Sequence, residues 1–86
     1  MRIQGAVIRE QGVTFAIAVV KQQVVSNRFE ADSTLQSLQQ VFQGMPIVLM
    51  AQDVRGRPTW YGRKDIARFM SNVPLSSIPW REYTIH

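Results

Sequence analysis

MPIVLMAQDVRGRPTWYG, residues 45–62, changes character twice in eighteen positions. Ile47 to Ala51 is unbroken apolar, which predicts a strand buried on both faces and therefore an interior strand. Asp53-Val54-Arg55-Gly56 is turn chemistry, with Gly56 where a positive φ is needed. Pro58 to Tyr61 predicts the returning strand. Pro58 has no N–H to donate, so that strand belongs at a sheet edge. Gly62 breaks it.

The flanks supply what covers such a strand. Upstream, Ile3 to Arg9 reads as extended, and Gln11-Gly12 as a tight turn. In Val13 to Val20, Val13, Phe15, Ile17 and Val19 alternate with Thr14, Ala16, Ala18 and Val20, the period of a strand covered closely on one side. Val24-Val25 adds a short third strand to this reading. Ser33 and Gln36 have the spacing of a capping box, predicting a helix with Ser33 as N-cap. Ala31, Leu35, Leu38, Val41 and Phe42 share one stripe of it, and Gly44 is placed to end it. Downstream, Ile66, Phe69, Met70 and Val73 follow the i, i+3, i+4, i+7 pattern of a second helix, which Pro74 closes. Trp80 to Ile85 reads as a last edge strand. The expected fold is α+β: a single small domain over residues 1–86, a mixed sheet of four or five strands with two helices. Its order is β-β-(β)-α-β-β-α-tail, with residues 74–86 as an extended C-terminal tail. From Met45 to Val73 the order resembles the strand-hairpin-helix end of thioredoxin-like folds, where a proline precedes an inner strand. The resemblance implies architecture only, because that family's redox cysteines and first helix have no counterpart.

Composition limits the chemistry. The chain has 86 residues, 45% hydrophobic and 19% charged, which suits a globular domain with a small core. There is no cysteine, which excludes disulfides, thiolate catalysis and Cys-based zinc sites. The sole histidine is His86, so no Ser–His pair or imidazole cluster forms within one chain. The N-terminal residues lack the apolar run of a signal peptide, and Val13 to Val20 is far short of the roughly 20 residues that span a bilayer. A cytoplasmic protein without membrane partner or cofactor is expected.

The net charge of +4 is concentrated. Arg55, Arg57, Arg63, Lys64 and Arg68, against Asp65 alone, carry the whole excess, with Trp60 and Tyr61 among them. Phosphate contact with base stacking on an aromatic is the functional reading; a solvated hairpin and helix face is the plain one. Trp60 and Tyr61 point to opposite faces of a strand, so at most one of them can face solvent. Catalysis would have to come from acids. Asp53, Glu30, Asp32 and Asp65 are candidates by residue type for a metal-dependent enzyme, but no strand pattern gathers them, and a non-enzymatic role is expected. The third feature is an absence: no charged residue occurs from Ser33 to Gln52. A Gln/Ser helix face desolvates more cheaply than a charged one, so Gln36, Gln39, Gln40 and Gln43 are candidate homo-oligomer contacts, joined by Trp80 and Tyr83 of the tail. The expected function is a protein-interaction, self-associating module. Non-specific DNA or RNA binding through residues 55–68 is the alternative, and an acid-dependent metal enzyme the second.

Overall fold

The computed structural model describes residues 2–10 and 12–84. Five strands form one mixed sheet: β1 (Arg2–Glu10), β2 (Val13–Val19), β3 (Ile47–Gln52), β4 (Pro58–Tyr61) and β5 (Arg81–Thr84), in the spatial order β4-β3-β2-β1-β5. Only β2 and β3 run parallel; the other three pairings are antiparallel. Three helices cover the sheet: α1 (Gln22–Val25), α2 (Arg28–Leu38) and α3 (Lys64–Met70). None is long and apolar enough to cross a membrane. The α+β expectation holds, with five strands and one helix more than foreseen.

β3 lies inside the sheet, as its apolar run requires, with Ile47 to Ala51 all buried. Ile47 and Leu49 face α2 in a cluster with Ala16, Ala18, Ala31, Leu38 and Phe42. Val48 and Met50 face α3, packing with Phe15, Ile17, Ile66 and Met70. The alternation in β2 thus separates two cores: large residues point toward α3, and alanines lie under α2. Gly5, paired with Ala18, extends the small-residue surface. A Cβ at Gly5 would collide with the Ile17 carbonyl oxygen of the neighbouring strand.

Four expectations are corrected. Val24-Val25 is helical, not a third strand. β2 already has β1 and β3 on its two sides, and its parallel pairing with β3 demands a crossover connection, which helices supply. Ser33 is not the N-cap. α2 begins six residues earlier, at Arg28, because the Asn27 side chain accepts a hydrogen bond from the Glu30 backbone N–H at 3.2 Å. Gly44 does not end α2, which stops at Leu38; turns then bring the buried Phe42 over the sheet before Gly44, at φ 77°, redirects the chain. The tail is not simply extended. Pro74 precedes a 3-10 turn at Leu75–Ser77, and β5 then pairs antiparallel with Arg2–Gly5. Ile85 and His86, like Gln11 of the first turn, lie outside the described residues.

Candidate interaction face

The basic segment is divided between the β3–β4 loop and the start of α3. Arg55 and Arg57 sit on the β3–β4 loop, which Asp53 organises. Its carboxylate accepts from the backbone N–H groups of Arg55 at 2.8 Å and Arg57 at 3.0 Å, and from Arg57 Nε at 3.0 Å. The Arg57 backbone bond is the main reason Asp53 titrates below its ordinary value. Gly56 closes the loop at φ 79°, donating to the Asp53 carbonyl at 2.9 Å. Arg63 and Lys64 lie beyond the far end of β4, whose four residues at about 3.3 Å each put roughly 13 Å of strand between them and Arg57. Arg63 is committed to Asp65 through two bonds of 2.8 Å, which hold the Asp65 carboxyl at about 2. Among the described residues Arg55, Lys64 and Arg68 are left without an ion pair, divided between the loop and α3.

Both aromatics are half-buried and packed within the fold. Trp60 is half-buried against the α3-side core, its indole N–H buried without a partner among the described residues. Tyr61 packs on the α2 side, and its hydroxyl donates to Asp32 at 2.8 Å, which raises the phenol above its usual value. Among the described residues no group of three or more acids or histidines is placed to hold a metal ion. Asp32, Asp53 and Asp65 are each engaged by a hydroxyl or a guanidinium, and Glu30 occupies the first turn of α2.

The two tail aromatics are used within the fold. Trp80 donates its indole N–H to the Leu75 carbonyl at 3.0 Å. Tyr83 meets Phe42 edge-on, with ring centroids 4.9 Å apart. The glutamines behave differently: Gln36, Gln39, Gln40 and Gln43 are all exposed. The early start of α2 adds a residue to their face. Phe29 is 90% exposed, in the first turn, opposite the buried Ala31 and Leu38. At 3.6 residues per turn, Phe29, Ser33 and Gln36 follow i, i+4, i+7 and form one line on α2, whereas Gln39, Gln40 and Gln43 lie in the turns beyond its end at Leu38. The line is uncharged along its length and headed by a large apolar ring.

Phe29 is the residue that a helix starting at Ser33 leaves out. The signal was present: Asn27 and Glu30 have the same cap-to-third-position spacing as Ser33 and Gln36, two turns' worth of sequence apart. Compared with known protein families, with curated proteins and with solved structures, the chain matches none.

Proposed function

We propose that this protein is a non-catalytic interaction module that self-associates through the outer face of α2. The observation that carries the reading is Phe29, a phenylalanine 90% exposed at the head of an uncharged helical line. An isolated exposed apolar residue is ordinary; one continued by an uncharged stripe marks a surface that desolvates cheaply. The stripe is also self-complementary. In an antiparallel pair of α2 helices about a two-fold axis, Ser33 opposes the partner's Gln36, and Phe29 lies at the C-terminal end of the partner's helix. Ser33 is small enough for close approach, the Gln stems give apolar surface to the ring, and no like charges face each other along the line. The same patch then serves both copies, as an isologous interface requires.

Sedimentation velocity on the parent protein from micromolar to several hundred micromolar tests the reading. A dimer that Phe29→Gln converts to monomer supports it. A clean monomer at the highest concentration, or a dimer indifferent to Phe29→Gln, rejects it.

A further inference from the structure

A cleft of about 330 Å³ opens between α1, α2 and the carboxyl end of β2. It exists because of the small-residue surface under α2. Ala18, fully buried, brings no larger side chain into the space beneath α2. Ile3, Val20 and Val24, all half-buried, form an apolar floor above the buried Ala18 and Leu38. The cleft stands where the chain leaves β2, one of the parallel pair, for its crossover. Open sheets with parallel strands place ligand sites outside such carboxyl ends.

The rim has a different character. Lys21 lines it, and no carboxylate among the described residues lies within ion-pair distance of its ammonium. The other cation at this end, Arg2, is 3.4 Å from Glu82. Ser33 and Ser37 also line the rim. Helical serines commonly bond back to a carbonyl one turn earlier, as the neighbouring Thr34 does to Glu30 at 2.8 Å. Among the described residues the Ser33 and Ser37 hydroxyls make no such bond.

We infer that this cleft binds a small aliphatic monocarboxylate, its hydrocarbon chain on Ile3, Val20 and Val24 and its carboxylate at Lys21 and the Ser37 hydroxyl. One cation suits one negative charge and is too few for a phosphorylated ligand. The floor offers no polar partner, so the buried part of the ligand is hydrocarbon.

The test is an amide NMR titration of the full chain with hexanoate, octanoate and decanoate, with octanol as the neutral control. Shifts should concentrate at Ala18, Val20, Val24 and Ser37. Affinity should rise about fourfold per added methylene until the cleft is full, the equivalent of about 0.8 kcal/mol per buried CH₂. Lys21→Gln, on an exposed side chain, should weaken octanoate about threefold to fivefold and leave octanol unchanged. Ser37→Leu, on the exposed helix surface, should block the series while the rest of the spectrum persists. Absence of shifts at millimolar octanoate and decanoate overturns the assignment. So does octanol binding as tightly as octanoate, or Ser37→Leu binding like the parent.

Discussion

Removing the Phe29 ring separates association from folding, because nearly all of that side chain is exposed in the monomer. At 90% exposure it gives almost nothing to the protomer's core. Phe29→Gln keeps a good helix former in the first turn of α2, so the unfolding free energy should move by no more than about 0.5 kcal/mol. Burial in a dimer is another matter. Fully burying a phenylalanine side chain is worth about 1.5–3 kcal/mol, and a two-fold interface buries two of them. The dimer should therefore weaken by about 3–6 kcal/mol, or roughly a hundredfold to ten-thousandfold in Kd. Sedimentation velocity over a concentration series reads the Kd, and urea melts at a concentration where the parent is monomeric read the stability. A Kd changed less than threefold refutes the interface. A fall of 2 kcal/mol in monomer stability refutes the placement of Phe29 on the outside of α2.

Three further outcomes follow from the local geometry. Asn27→Ala should cost about 0.5–2 kcal/mol in urea denaturation through loss of the cap, while Ser33→Ala, in the second turn of α2, should stay within about 0.5 kcal/mol; the reverse ranking would move the helix start back to Ser33. Gly56→Ala places a side chain at φ 79° and should destabilise by about 1 kcal/mol or more, and an unchanged urea midpoint would refute a strained turn. Asp65, held at about 2 by Arg63, favours the folded state above the ordinary carboxylate range near 3.9 and loses that contribution as pH falls through about 4 to 2; Arg63→Gln should return its carboxyl titration, followed by NMR, toward 3.9.

The elements that periodicity and turn chemistry define were legible in the sequence. Ile47 to Ala51 is the interior strand because a five-residue apolar run has no solvated face to offer, and Asp53 and Gly56 form the loop their residue types predict. What local patterns left open was settled by partners distant in sequence. Val24-Val25 has strand propensity, but β2 has no vacant side for it, so topology overrode composition. Two capping signals, Asn27 with Glu30 and Ser33 with Gln36, competed for one helix. The earlier one prevails, and the buried Ala31 extends the core face of α2 by a turn.

That single shift of helix start also redirects attention from charge to its absence. The basic residues are dense in sequence, yet a β-hairpin disperses what it carries. Its period of two turns Trp60 and Tyr61 to opposite faces, and β4 holds Arg57 and Arg63 at opposite ends. An α-helix does the reverse, bringing Phe29 and Gln36 onto one line although seven positions separate them. Density along the chain therefore overstates the hairpin as a surface and understates α2. Two of the five clustered cations, moreover, are already engaged by carboxylates, Arg57 by Asp53 and Arg63 by Asp65. A partner binding them must compete with an intramolecular pair, whereas Phe29 stands 90% exposed. The face with no charge is the one that a second molecule can cover without breaking a bond the fold has made.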